Sequence, residues 1–180
     1  FGYEEANEAI DSILSTYVTM GKKVKKFEEM FANYIHTKHG IMVNSGSSAN
    51  FLALSVLTNP MLKNRIKPNE EIITPSTTWV TTVYPIVNVG AVPVFVDVNL
   101  DFNINPEIIE NAITEKTRAI MPVHLMGNPC DMKPIMEIAE DHDLFVIEDS
   151  CEAHGAEVDG KRVGSFGDIS TYSFFFSHHI

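Results

Sequence analysis

The chain has 180 residues, 44% of them hydrophobic and 21% charged, and 24 acids against 13 lysines and arginines give it a formal net charge of −11. That balance is ordinary for a globular protein with one sizeable α/β core, and the acidic excess argues against nucleic-acid binding, which needs a broad basic face. No apolar run reaches the roughly 18 residues of a membrane span, no signal peptide is read at the start, and Cys130 and Cys151 form neither a CxxC metal pattern nor a disulfide framework, which points to a reducing cytoplasm.

The chain starts at Phe1 without an initiator methionine and stops straight after an apolar run, so it reads as an internal stretch of a longer protein. Residues 1–38 read as a helical lead-in to a domain over 39–180. Within it "KKVKKFEEMFANYI" places Val24, Phe27, Phe31 and Ile35 at three- and four-residue steps, the spacing of one helix face, with the lysines on a solvated face. Beyond it, strands are expected at Ile41–Val43, Glu71–Thr74, Val92–Val98, Arg118–His124, Leu144–Glu148 and Ser170–Phe175. Helices are expected at Ser48–Leu57, Thr78–Val89, Pro106–Ile113 and Lys133–Asp141. Strand and helix in alternation imply a mostly parallel sheet flanked by helices.

Open α/β sheets bind ligands beyond the carboxyl ends of their strands. Four polar clusters follow expected strands here, and they are placed to converge on one crevice. "NSGSSAN" (Asn44–Asn50) opens a helix, where free backbone N–H groups and the serine hydroxyls suit a phosphate; a serine-capped helix that binds nothing fits equally well. In "PSTTWVTT" the single tryptophan, Trp79, suits stacking on a flat ring or packing on the sheet. "FVIEDSCEAHGA" ends a buried strand on an acid, which is costly without a cation. Asp149 facing a protonated heterocycle would supply one; a cap or an ion pair is the alternative. Glu152, three residues on, can reach the same crevice. "HLMGNPCD" reports mainly turn chemistry, with a substrate contact by His124 as the lesser reading. Finally, "SFFFSHHI" ends on His178 and His179. In extended chain these point to opposite faces, which disfavours a shared metal, and no metal is expected elsewhere.

With these clusters in this order, the chain resembles the DegT/DnrJ/EryC1/StrS sugar aminotransferase family over almost its whole length, corresponding to roughly the N-terminal half of a member. The resemblance implies the large domain of a fold-type I, aspartate aminotransferase-like enzyme using pyridoxal 5'-phosphate and its pyridoxamine form. It assigns the cofactor phosphate to Gly46, Ser47, Ser48 and Ser173, ring stacking to Trp79 and the ring nitrogen to Asp149. Two positions depart from the family pattern. Members carry a lysine five residues after the serine, covalently bonded to the cofactor; His178 stands there. They carry a glutamine three residues after the aspartate, in contact with the cofactor hydroxyl; Glu152 stands there, so the resemblance assigns Glu152 to cofactor binding. An imidazole cannot make the lysine's covalent link but can move protons near neutral pH.

The resemblance is therefore to the histidine-bearing branch, the sugar 3-dehydratases. It implies His178 as catalytic base and loss of the 3-hydroxyl from a nucleotide-linked 4-keto sugar. It further implies glutamate as amino donor, a cytoplasmic homodimer and no membrane or nucleic-acid partner. Three alternatives stay open: an iron–sulfur-assisted CDP- or TDP-sugar 3-dehydrase, a nucleotide-sugar aminotransferase, and a non-catalytic cofactor-binding regulator.

Overall fold

The computed structural model describes residues 2–178. The chain divides into two compact units, Phe1–Met42 and Val43–Ile180. The first holds helices α1 (Tyr3–Leu14) and α2 (Lys22–Ile35). The four-residue step of α2 brings Phe27 and Phe31 into a stack with ring centres 5.5 Å apart. Lys23 of the basic run bridges Glu8 at 2.6 Å and Asp11 at 2.9 Å. These groups are exposed, so the bridge contributes little to stability. His36 ends α2 in the left-handed conformation (φ 61°). The strand expected at Ile41–Val43 does not form: three apolar residues are too few to specify a ladder partner, and the Met42 N–H donates instead to Glu28 Oε1 at 2.7 Å.

The second unit alternates strands and helices: α3 (Gly46–Leu57), β1 (Glu71–Pro75), α4 (Val80–Asn88), β2 (Val92–Val96), α5 (Pro106–Ala112), β3 (Thr117–Ile120), α6 (Met132–Asp141) and β4 (Phe145–Asp149). A short antiparallel hairpin, β5 (Glu157–Val158) with β6 (Lys161–Arg162), which the sequence pattern does not signal, leads to β7 (Ile169–Thr171). The main sheet has the order β2-β1-β3-β4-β7, parallel throughout. Side chains alternate across a strand, so the central strands β1, β3 and β4 each feed two cores. Ile72, Ala119, Met121 and Ile147 pack with Leu54 and Leu57 of α3 and Ile86 of α4. Ile73, Ile120 and Val146 pack with Ile109 of α5 and Met132 and Ile135 of α6. Each fully buried side chain of this size contributes about 1.5–3 kcal/mol of transfer free energy, before the entropy of ordering it. No helix among the described residues is long and apolar enough to cross a membrane.

The last expected strand is shorter than its apolar pattern. The β4–β7 ladder ends at the pair Asp149–Thr171. Beyond it Tyr172–Phe175 leaves the sheet, and the His178 N–H closes a turn onto the Phe175 carbonyl at 2.9 Å. Residues 172–178 are therefore not the extended strand that the sequence pattern suggests. His179 lies outside the described residues.

Candidate active site

The carboxyl ends of β1, β4 and β7 meet the start of α3 and the first turn of α4. Ser45 caps α3, accepting from the Ser48 N–H at 3.1 Å, and its hydroxyl also donates to Ser48 Oγ at 3.1 Å. That is the capped helix start, and it still leaves the Gly46 and Ser47 amides without an intrahelical carbonyl. Gly46 is buried, and a Cβ placed on it would stand 2.8 Å from Ser173 Cβ and 3.1 Å from Cys151 Sγ. Residues 46, 151 and 173 thus touch only because position 46 has no side chain. Helix start and Ser173 hydroxyl face one small space, a donor set suited to a phosphate.

Asp149 is 4% exposed. Its Oδ2 accepts from Asn50 Nδ2 (2.9 Å) and Thr82 Oγ1 (2.8 Å), and its Oδ1 from the Cys151 N–H (3.2 Å). All three donors are neutral. They orient the carboxylate without neutralising it, which suits it to a cationic partner such as a protonated ring nitrogen. The frame extends further: Asn50 Nδ2 also donates to the Thr81 carbonyl (3.1 Å), Thr171 Oγ1 donates to Asn50 Oδ1 (2.5 Å), and the Thr78 and Thr82 hydroxyls share a bond at 2.7 Å. Sequence reasoning missed Asn50 and Thr82. The available signal was a lone amide in an otherwise apolar helix, "SSANFLALSVL". Trp79 stands at the N-cap of α4, three residues before Thr82, with its ring exposed.

His178 Nδ1 lies 3.3 Å from the Ser173 carbonyl, which can only accept. The neutral ring therefore carries its proton on Nδ1 and leaves Nε2 as the basic nitrogen. Phe175 meets the ring edge-on, with centroids 5.8 Å apart. His154 is half-buried between Tyr172 and Phe174. Burial, with a smaller contribution from the nearby His178, holds its imidazole below the usual histidine range. Cys151 is inert for related reasons: burial, then the Asp149 charge, push its thiol far up. Burial likewise raises Cys130 to about 12.

Two further acidic side chains lie beside Asp149. Glu152 Oε2 accepts from the Met126 N–H at 2.9 Å, so this carboxylate is engaged with the turn after β3. Glu148 is fully buried and accepts from the N–H groups of Gly164 (2.6 Å), Phe166 (2.8 Å) and Gly167 (2.7 Å). His124 faces it at 3.2 Å through Nε2, while His124 Nδ1 accepts from the Cys130 N–H at 3.0 Å. His124, fully buried, is thus a frame residue here rather than a substrate contact.

Fold and site together define the class: a parallel α/β domain that gathers a helix start with free amides, an exposed indole and a buried carboxylate at the carboxyl ends of its strands. Residues 2–180 match the DegT/DnrJ/EryC1/StrS aminotransferase family, and the chain belongs to that family. It is 45% identical over 95% of its length to the dTDP-4-dehydro-2,6-dideoxy-D-glucose 3-dehydratase of Saccharopolyspora spinosa, spanning 37% of that protein. It is 44% identical over 96% of its length to the GDP-perosamine synthase of Escherichia coli O157:H7, spanning 45% of it. Among solved structures, the E. coli GDP-4-keto-6-deoxy-D-mannose-3-dehydratase with bound hydrated PLP aligns with 97% of this chain and 45% of its own, at 40% identity and a TM-score of 0.89. The fold is accordingly that of fold-type I, aspartate aminotransferase-like enzymes. The chain spans less than half the length of each of these relatives.

Proposed function

We propose that the chain is the cofactor-binding part of a nucleotide-sugar 3-dehydratase that uses pyridoxal 5'-phosphate and its pyridoxamine form, with glutamate restoring the amine. The observation that carries this reading is His178: five residues after Ser173, its Nδ1 is tied to the Ser173 carbonyl and its Nε2 is left basic. When bound, the cofactor would supply an amine to condense with the sugar ketone and a ring that spreads the charge left when its aminomethyl carbon loses a proton. The residues fit it. The amides of Gly46 and Ser47 and the hydroxyls of Ser48 and Ser173 would hold its phosphate, Trp79 would cover its ring, and Asp149 would keep the ring nitrogen protonated. His178 Nε2 takes up a proton during elimination and, once protonated, can hand one to the departing 3-hydroxyl. Placing that exchange on one oriented nitrogen is worth about 10²–10⁴-fold.

Transamination by the covalent route requires a lysine, and residues 173–178 contain none. This favours dehydration over the aminotransferase reading. Apolar side chains exposed on α3 and α4, among them Phe51, Val56, Tyr84 and Val87, support a homodimer. The test is incubation of the full-length protein with pyridoxal phosphate, glutamate and GDP-4-keto-6-deoxymannose. A 3-deoxy sugar and ammonia are expected, and their absence would overturn the proposal. His178→Asn should lower turnover about 10²-fold or more while the protein still binds cofactor, seen by absorbance.

A further inference from the structure

The turn at residues 125–128 follows β3 directly beside the site. Val123 forms a bridge with Asp149, and the His124 N–H donates to the Asp149 carbonyl at 3.0 Å. Two residues on, Met126 takes φ 53° and ψ 30° and is 81% exposed. Residues bearing a Cβ seldom adopt this left-handed conformation, which glycine or asparagine fills at lower cost. The backbone is nevertheless held there from several sides. The Leu125 N–H donates to Asn103 Oδ1 at 3.3 Å, and the Met126 N–H to Glu152 Oε2 at 2.9 Å. Asn103 Nδ2 donates to the carbonyls of Asn128 (3.1 Å) and Pro129 (3.0 Å), and Asn103 is buried. Strain that the surroundings over-determine, next to a binding site, is a mark of function. Among the described residues the Met126 side chain does not fill the core, since it is 81% exposed.

The geometry points to Met126 as a substrate-contacting residue, with Glu152 and Asn103 as the positioning residues that hold it. This rests on the dehydratase reading above. A flexible thioether presents an apolar, adaptable surface, suited to the C–H face or methyl group of a 6-deoxy sugar and unsuited to its phosphates. Glu152 contributes through the turn, its Oε2 accepting from the Met126 N–H.

The test uses the full-length protein and three variants. Met126→Ala should raise the KM for GDP-4-keto-6-deoxymannose about fivefold or more, the scale of losing one apolar contact. Its KM for glutamate and its pyridoxal phosphate affinity, read by absorbance titration, should stay within about twofold. Glu152→Ala should reproduce the rise in sugar KM. Glu152→Gln, whose carbonyl can still accept from the Met126 N–H, should return it to within about twofold of wild type. An unchanged sugar KM in Met126→Ala would overturn the inference, as would a Glu152→Ala protein that loses cofactor affinity while keeping its sugar KM. If wild type turns over no sugar, the dehydratase reading falls. Calorimetric binding of the same nucleotide sugar then decides, and equal affinities in wild type and Met126→Ala would overturn the inference as well.

Discussion

Substituting Asn50 by Asp tests whether the frame around Asp149 is electrostatic. The change is nearly isosteric and keeps an acceptor for the Thr171 hydroxyl, but it replaces a donor 2.9 Å from Asp149 Oδ2 with an acceptor. Two carboxylates at that separation repel by about 6 kcal/mol at an effective dielectric constant of about 20. The introduced carboxyl can escape by taking a proton, which at pH 7 costs about 4 kcal/mol relative to an ordinary aspartate of pKa about 3.9. The second cost is smaller, so the folded pair shares one proton, and that proton restores a donor toward Asp149. The folded pKa of the new group is thus raised above its unfolded value. Its penalty is absent below about pH 4, and grows by about 1.4 kcal/mol per unit as pH rises above it. The expected loss is about 4 kcal/mol at pH 7 and about 1.5 kcal/mol at pH 5, with about 1 kcal/mol more at both for the lost bond to the Thr81 carbonyl. Urea denaturation of wild type and variant at the two pH values measures the difference. Equal losses at pH 5 and pH 7 would refute the electrostatic account.

Further expectations follow from the same geometry. Gly46→Ala should cost about 1–3 kcal/mol by forcing Ser173 away from the start of α3, and should weaken pyridoxal phosphate binding about tenfold in a spectral titration; wild-type values would show that the contact yields freely. Glu148→Gln sets an amide N–H₂ among the N–H donors of Gly164, Phe166 and Gly167, so a loss of about 3 kcal/mol or more is expected in denaturant melts, and a loss under about 1 kcal/mol would contradict the assigned anchoring. Burial lowers the His154 pKa, so its contribution to stability is present above the unfolded value of about 6.5 and is lost as pH falls through it. His154→Gln should therefore lose less stability than wild type between pH 7.5 and pH 5.5, and an unchanged slope would remove His154 from the account.

The central strands were legible because they are buried on both faces and so form apolar runs, as at Ile72–Thr74 and Phe145–Ile147, while β2, at the sheet's edge and partly exposed, was legible from its β-branched and aromatic residues, Val92–Val96. Segments whose fate depends on a distant group were not. Ile41–Val43 resembles a strand until Glu28 takes the Met42 amide. The aromatic run after Thr171 resembles a strand until the ladder ends at Asp149. The polar clusters were legible because each directly follows an apolar run, which brings the Gly46 turn and Asp149 forward as candidates, whereas Ser173 was reached only through the family resemblance. Asn50 stayed hidden because its role is a contact with a residue 99 positions away. Nothing local distinguishes a buried amide that orients a carboxylate from one that caps or packs.

Glu148 and Asp149 show what the fold adds to the sequence. As neighbours in "FVIEDS" they look like one acidic pair, yet strand alternation sends them to opposite sides of the sheet. Asp149 follows the parity of Ile147, toward α3 and α4, and meets Asn50 and Thr82. Glu148 follows Val146, toward the side of α5 and α6, and gathers three backbone amides of residues 164–167. Those residues feed directly into β7, whose exit carries Ser173 and His178. One carboxylate therefore faces the proposed cofactor site while its neighbour fixes the path of the chain that carries Ser173 and His178, the phosphate ligand and base of the proposal. A one-residue slip of β4 against β7 would exchange the two roles and abolish both. The bridge from Val123 to Asp149 and the bond from the Asp149 N–H to the Pro122 carbonyl at 3.0 Å hold the register on the other side. The precision of the site thus resides in strand register, with the loops carrying side chains whose positions the register has already set.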